Sequence, residues 1–302
     1  MAKEKRLDDL AVNTIRTLSM DAVQEAGSGH PGTAMALAPV VYCLWQRTLR
    51  FDPNDPIWPN RDRFVLSIGH ASMLLYSLLH LCGVKAVNPM YETLGEPSVT
   101  LDDIKRFRQL DSKCPGHPEY RWTSGVETTT GPLGQGVATS VGIAIAGRWM
   151  AAHFNRPGFE MFDYDVYALC GDGCMMEGVS GEAASLAGHL KLSNLCWIYD
   201  NNKITIEGHT AWAFSEDVAT RFIGYGWNVE EMAHHGVEFR TRRAQAREHV
   251  LAMRELWTGE AGEYHGDFVD FSPSWAWPKP VRSGGPPVYI GGGAGPKMFA
   301  AV

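Results

Sequence analysis

The chain has 302 residues, of which 45% are hydrophobic and 20% charged, so it can bury a sizeable core as a globular protein. Its net charge of −7 offers no basic surface to nucleic acid, and we expect no nucleic-acid partner. The six cysteines form no CxxC pair, which favours reduced thiols in a cytosolic enzyme. The polar N-terminus lacks an apolar signal core, and the most apolar stretch is interrupted by small polar residues. We therefore expect a cytoplasmic protein with no membrane partner.

The first part of the chain alternates predicted helices with a predicted strand. Apolar residues at helical spacing predict a helix over Leu7–Glu25, which ends at a glycine-rich loop that carries His30. A second helix is predicted over Thr33–Leu49. The apolar run Phe64–Ile68 predicts a strand that enters a loop carrying His70 before the next helix begins.

The middle of the chain continues this alternation. A short charged helix is predicted over Asp102–Gln109, followed by a proline-rich loop that carries His117. The glycine-rich segment Gly131–Gly136 then opens a helix of small residues over Val137–Met150. Small residues allow such a helix to lie close to a sheet, and its N-terminal amides can face an anion. The alternation predicts an α/β fold, a doubly wound parallel sheet with helices on both faces.

Polar residues follow two further strands that we expect to be neighbours. The run Asp165–Cys170 leads into a Gly-Asp-Gly turn that contains Asp172, and the run Leu195–Tyr199 leads into a turn that contains Asn202. The helix predicted between them makes the strands parallel, so both turns fall on the carboxyl edge of the sheet, where such sheets bind ligands. An Asp between glycines is by itself more often a turn residue. Paired with Asn202, it predicts a Mg²⁺ site that bridges a diphosphate.

Histidines occupy three of the predicted loops. A single loop histidine is usually solvated and has no further role. Three of them at the junctions of one chain, next to a predicted metal and diphosphate edge, indicate proton transfer around a substrate. The candidate catalytic residues are therefore His30, His70 and His117.

Several motifs together resemble one family. SGHPG, SIGHAS, PGHPE, GPLGQG and the stretch from GDG to NNKIT stand in the order and spacing of the N-terminal, diphosphate-binding domain of transketolase, over residues 5 to 228 approximately. The resemblance implies thiamine diphosphate as the cofactor, together with a divalent cation, Mg²⁺ or else Ca²⁺ or Mn²⁺. Related enzymes that use thiamine diphosphate have different histidine loops, so the motifs match transketolase best. The resemblance also implies transfer of a two-carbon ketol unit between sugar phosphates.

The resemblance implies a set of residues for the cation and the diphosphate. Asp172, Asn202 and the backbone carbonyl of Ile204 would hold the cation, and Asn202 would also belong to the cofactor site. His70 and Gly173 would contact the diphosphate. A metal close to the diphosphate would neutralise its charge.

The resemblance implies a second set of residues, which would lie around the thiamine part of the cofactor, the substrate and the dimer contact. Gly131 and Leu133 would line the thiamine side. His30 and His117 would face the substrate and assist proton transfer at its hydroxyl groups. Glu177 resembles the acidic residue that links paired cofactor sites across a dimer in this family.

The last part of the chain resembles a different family. Between residues 229 and 302, the runs EEMAHHGVEFRTRRAQAREHVLAMRELWTG and YHGDFVDF are similar to a fragment of luciferase-like, flavin- or deazaflavin-dependent monooxygenases. An amphipathic helix is predicted over Thr241–Trp257, and a strand over Val288–Ile290 enters a glycine turn. We therefore expect two domains, 1–228 and 229–302, the second a partial (β/α) barrel-like fragment.

Three functions follow from these patterns. The first is transketolase-type transfer, incomplete in this chain, with a homodimer or a partner chain that supplies the pyrimidine-binding domain and its activating Glu. The second is flavin- or deazaflavin-dependent oxidation, indicated by residues 229–302. The third is a non-catalytic module that binds a metal and a diphosphate.

Overall fold

The computed structural model divides the chain into two compact units, Met1–Asn228 and Val229–Val302. It describes residues 2–205, 208–230, 248, 251–256, 258 and 261–274. The strand predicted over Val288–Ile290 and most of the helix predicted over Thr241–Trp257 lie outside the described residues.

The helices and strands of the first unit alternate along the chain. The helices are α1 (Ala2–Ala26), α2 (Pro31–Arg47), α3 (Ser72–Leu81), α4 (Leu101–Lys105), α5 (Gln135–Phe154), α6 (Asp172–Met176), α7 (Gly178–His189) and α8 (Val218–Gly224). The strands are β1 (Arg63–Leu66), β2 (Lys85–Val87), β3 (Thr93–Pro97), β4 (Val166–Gly171), β5 (Leu195–Asp200), β6 (Ile204–Thr205) and β7 (Gly208–His209). None of the helices in the described part of the chain is both long enough and apolar enough to cross a membrane.

A parallel sheet of three strands organises the first unit, in the order β1-β4-β5. The register places Leu66 opposite Leu169 and Gly171 opposite Asp200, so the three strands end at one edge. The central strand β4 is apolar and almost wholly buried, as a strand between two neighbours should be. The α/β class with a parallel sheet and helices is thus confirmed.

Helix α5 lies against this sheet because glycines remove side chains at the contact. A Cβ built on Gly136 would stand 2.6 Å from the Cα of Ser67, and one built on Gly147 would stand 2.8 Å from the ring of Tyr164. The Tyr164 hydroxyl donates to the carbonyl of Ile143, 3.3 Å away. The small-residue composition of this helix therefore has the packing role that the sequence predicts.

Some boundaries differ from the sequence predictions. A single helix was expected between Asp172 and the strand at Leu195, but the structure has two, because Glu177 adopts extended backbone (φ −79°, ψ 133°) between them. The carbonyl of Glu177 accepts from the amide and the hydroxyl of Ser180, which starts α7 afresh. The loop proline Pro31 begins α2, where its missing N–H costs nothing.

The second unit contains an antiparallel hairpin, β8 (Gly262–His265) with β9 (Asp270–Ser274). The carboxylate of Glu248 accepts from the backbone amides of the hairpin turn, at 2.8 Å from that of Phe268. Residues 251–256 are helical. The described residues of this unit contain no parallel strand pair, so its barrel-like character stays a prediction.

Candidate functional site

Three polar residues follow the three strands at the carboxyl edge of the sheet. His70 lies in the turn after β1, Asp172 directly follows β4, and Asn202 follows β5. The parallel register brings these turns to one edge, since Gly171 and Asp200 are paired at the end of their strands. The sequence prediction that the turns share an edge is confirmed by this topology.

Asp172 is a buried carboxylate, with only 4% of the residue exposed. Its Oδ1 accepts from the Tyr199 hydroxyl at 2.5 Å, and its Oδ2 accepts from the Lys203 amide at 2.6 Å. Burial first, and then the hydrogen bond to Asp172, raise the pKa of Tyr199, so the phenol stays a donor. Among the described residues Asp172 forms no ion pair, and its hydrogen-bond partners are a phenol hydroxyl and a backbone amide.

The loop after β5 folds back over Asp172. Lys203, whose amide reaches Asp172, has φ +59°, a left-handed conformation that turns the chain sharply. Asn202 is exposed; its Oδ1 accepts from the Ile204 amide at 2.9 Å, and its Nδ2 donates to Asp200 at 2.9 Å. The amide of Lys203 therefore holds the loop that carries Asn202 against the Asp172 carboxylate.

Sequence reasoning missed Tyr199 and Lys203. Lys203 acts through its backbone amide, which carries no residue-type signal. Tyr199 had a usable signal, because in the parallel register it stands opposite Cys170, two residues before Asp172.

The glycine segment after residue 130 lies against both edge turns. A Cβ built on Gly173 would stand 2.6 Å from Cδ1 of Leu133, and one built on Gly69 would stand 2.8 Å from the Gly131 amide. Gly131 itself has φ +153°, where a side chain is strained. Thr130 fixes this segment to the sheet, because its hydroxyl donates to the Leu66 carbonyl at 2.7 Å.

The three predicted histidines come together at this edge. The rings of His30 and His70 are 5.0 Å apart in an edge-to-face arrangement. A Cβ built on Gly131 would stand 3.3 Å from the ring of His117, so this histidine borders the same glycine. His70 is partly buried, whereas His30 and His117 are exposed.

Two of these histidines, His70 and His117, have lowered pKa values. Burial first, and then the neighbouring His30 and His117, lower the pKa of His70 from 6.5 to about 4. Desolvation, then Arg108 and then His30, lower the pKa of His117, whereas Glu119 raises it. At neutral pH each of these two neutral rings can donate one hydrogen bond and accept another.

Glu177 lies at the outer side of this site. A Cβ built on Gly134 would stand 2.7 Å from the Cβ of Glu177, so the residue borders the glycine segment. Glu177 itself is exposed, and so are the apolar side chains of Met176 (38%) and Val179 (44%) on either side.

Comparison with known proteins assigns the chain to a family. The model of the transketolase thiamine diphosphate binding domain matches residues 7–250. The chain belongs to the transketolase family. A second model, of luciferase-like monooxygenases, matches residues 215–302. The transketolase match and the monooxygenase match overlap over residues 215–250, so the domain boundary at residue 228 stays a prediction.

Individual transketolases are similar over most of this chain. The enzyme of Geobacillus stearothermophilus is 54% identical over 75% of the chain, and transketolase 1 of Escherichia coli is 54% identical over 72%. A solved transketolase variant from Pichia stipitis, in complex with fructose 6-phosphate, superposes with a TM-score of 0.68, at 51% identity over 74% of the chain and 31% of its own length. The chain spans about a third of the length of the two curated relatives, 33% and 31%. The predicted resemblance to the transketolase family is thereby confirmed.

Proposed function

We propose that the first unit forms the diphosphate half of a thiamine diphosphate site. The activity it serves is transketolase-type transfer of a two-carbon ketol unit between sugar phosphates. The observation that carries the proposal is the Asp172 carboxylate, buried at the carboxyl edge without an ion pair among the described residues and enclosed by the Asn202 loop. A buried carboxylate of this kind is expected to be paired or to coordinate a metal.

The residues at this edge fit a hard divalent cation. Asp172, Asn202 and the carbonyl of Ile204 supply carboxylate, amide and backbone oxygens, the donor types that Mg²⁺, Ca²⁺ or Mn²⁺ prefer. Phosphate oxygens would complete the coordination, as is usual for Mg²⁺. Gly173 would contact the diphosphate, and neutral His70 can donate one ring N–H to it.

The remaining predicted residues have roles on the other side of the cleft. Gly131 and Leu133 would line the thiamine side, next to Gly173. Thiamine diphosphate, when bound, supplies the electron sink for cleaving a carbon–carbon bond beside a ketone. His30 and His117 would take and return protons at the substrate hydroxyl groups, because they are exposed toward solvent and border the site.

The partners we propose are sugar phosphates and a second polypeptide. The Pichia stipitis relative, in its complex with fructose 6-phosphate, supports the substrate class. A homodimer, or a partner chain that supplies the pyrimidine-binding domain, is supported by the exposed group of Met176, Glu177 and Val179 beside the site. We also propose a cytoplasmic location, which the six free cysteines support.

A second candidate function concerns residues 229–302. Flavin- or deazaflavin-dependent oxidation is supported by the match of residues 215–302 to luciferase-like monooxygenases. The first proposal has more support, because its family model covers residues 7–250 and its residues converge on one edge.

A binding titration tests the proposed site. We expect the chain to bind thiamine diphosphate only with Mg²⁺, and Asp172→Asn to weaken this binding by about 100-fold or more, since even the outer partners of metal ligands are worth about 10–100-fold. Isothermal titration calorimetry measures both. Asp102→Asn is the matched control, because that carboxylate is exposed on α4, and it should leave affinity unchanged. Equal affinity of Asp172→Asn and the native chain would overturn the assignment of the site.

A ketol-transfer assay separates the function from mere binding. The protein is mixed with the separately produced C-terminal half of a transketolase, and turnover of a ketose phosphate and an aldose phosphate is followed. Turnover in the mixture would support the proposed ketol-transfer function. Binding without any turnover would instead favour the non-catalytic module.

A further inference from the structure

Arg108 lies where the segment after α4 meets the loop that carries His117. Its backbone has φ +61°, in the left-handed region, and its amide donates to the Cys114 carbonyl at 3.0 Å. The left-handed backbone conformation is unfavourable for an arginine, so contacts with the surrounding residues must stabilise it. The side chain of Arg108 makes several such contacts.

The guanidinium of Arg108 lies between two loops, the one that leads into His30 and the one that carries His117. Its Nη1 donates to the Ser28 hydroxyl at 2.6 Å, in the loop that leads into His30. Its Nε lies 3.0 Å from the position that a Cβ would take on Gly116, so the guanidinium packs closely against the loop of His117 and a side chain there would displace it by a few tenths of an ångström. Among the described residues this Nε is buried and has no hydrogen-bond partner.

The neighbouring residues anchor both ends of this bridge. Phe107 is buried, and its ring lies 3.2 Å from the position of a Cβ on Gly29, next to Ser28. The carbonyl of Gly116 accepts from the Ser72 hydroxyl at 3.0 Å, which ties the His117 loop to α3. Arg108 therefore connects two segments that are each fixed to the body of the unit.

We propose that Arg108 is a positioning residue, which joins the loop of Ser28 to the loop of Gly116 and so fixes His30 and His117 relative to each other. The proposal extends the proposed function, because it assigns a residue to the proton-transfer pair. A side chain with a planar, multidentate group suits this task better than lysine, whose ammonium is a single point of contact.

The charge of Arg108 also acts on His117. Desolvation is the first cause that lowers the pKa of His117, and the facing groups Arg108 and His30 act in the same direction. Glu119 also faces His117 and raises its pKa, and the partly buried His70 is a further neighbour. The positive charge of Arg108 at the loop junction adds to desolvation in disfavouring the protonated form of His117. Removing this charge makes protonation of His117 easier.

Histidine ring resonances of the full chain test the proposal without cofactor or substrate. Nuclear magnetic resonance of chains labelled with ¹⁵N at histidine follows each ring through a pH titration, and His117→Asn assigns the key signal. Arg108→Met should raise the titration midpoint of His117 and shift the His30 signal. Arg108→Lys keeps the charge, so it should leave the midpoint near that of the native chain while still shifting His30.

Two further variants keep the test decisive. Ser28→Ala removes the hydroxyl at the exposed end of the bridge and should shift His30 with little change in the His117 midpoint. Arg106→Met is the control, since this arginine donates to the Leu110 carbonyl in the same segment. Unchanged His30 and His117 signals in folded Arg108→Met, relative to Arg106→Met, would overturn the proposal. A failure of thiamine diphosphate binding would leave these signals, and hence this proposal, unaffected.

Discussion

His70 is a titratable residue in a position where burial disfavours its charged form. The residue lies in the short 3-10 helix Gly69–Ala71 that comes after β1, and its ring packs edge to face with that of His30. Burial there disfavours the charged imidazolium and lowers the pKa to about 4. The ring therefore stays neutral near pH 7. Because the folded state disfavours its protonation, the free energy of unfolding should fall in acid.

The stability of the protein should therefore depend on His70 in a defined pH window. The folded pKa of about 4 lies below the usual 6.5, so between these values the unfolded chain binds a proton that the folded chain does not. The free energy of unfolding should fall as pH drops from 6.5 to 4, by about 1–3 kcal/mol from this residue after allowing for solvent screening. Urea unfolding at several pH values should show a smaller loss in His70→Gln. The exposed His189→Gln should lose stability like the native chain; equal acid sensitivity of all three would contradict the assignment.

Residue types at this site could be predicted, but their hydrogen-bond partners could not. Asp172 and Asn202 are visible in the sequence because each follows an apolar run at a glycine or asparagine turn. The two donors to Asp172 depend on register and loop conformation: Tyr199 by its place in β5, and Lys203 by a left-handed turn. Such partners are fixed by tertiary contacts between segments far apart in the chain.

At the level of elements, glycines decide how closely α5 approaches the sheet. Gly136 contacts the backbone of Ser67 just beyond β1, and the Val137 amide donates to the Ser67 hydroxyl at 3.0 Å. The sequence predicted this helix and its small-residue face, because composition carries both. It did not predict the break between α6 and α7, since the extended conformation of Glu177 has no proline or glycine at that residue to mark it.

A pair of substitutions in α5 tests the close approach. Gly136→Ala places a Cβ 2.6 Å from the Ser67 Cα, so the helix must move and the protein should lose about 1–3 kcal/mol of unfolding free energy. Gly142→Ala, in the same helix, meets open space and should stabilise by about 0.5–1 kcal/mol. Thermal and urea unfolding measure both. If the two variants changed stability in the same direction, the contact between α5 and the end of β1 would not have the importance given to it.

At the level of the whole molecule, the proposed cofactor residues all belong to the first unit. The boundary between the two compact units falls after residue 228 of the chain, whereas the transketolase match runs to residue 250 and overlaps the monooxygenase match. The buried apolar residues of β4 and the aromatic contacts of Trp197, Phe222 and Trp227 lie before residue 228 as well. The first unit thus contains both its own core and its proposed site.

Shortened chains should distinguish the two boundaries. A chain of residues 1–228 should fold and bind thiamine diphosphate with Mg²⁺ as tightly as the full chain, because a domain with its own core can fold alone and residues 229–302 supply none of the proposed contacts. Calorimetric binding and thermal unfolding test this, and a chain of residues 1–250 serves as the control. If 1–250 bound and 1–228 did not, residues 229–250 would belong to the transketolase domain and the boundary at 228 would be wrong.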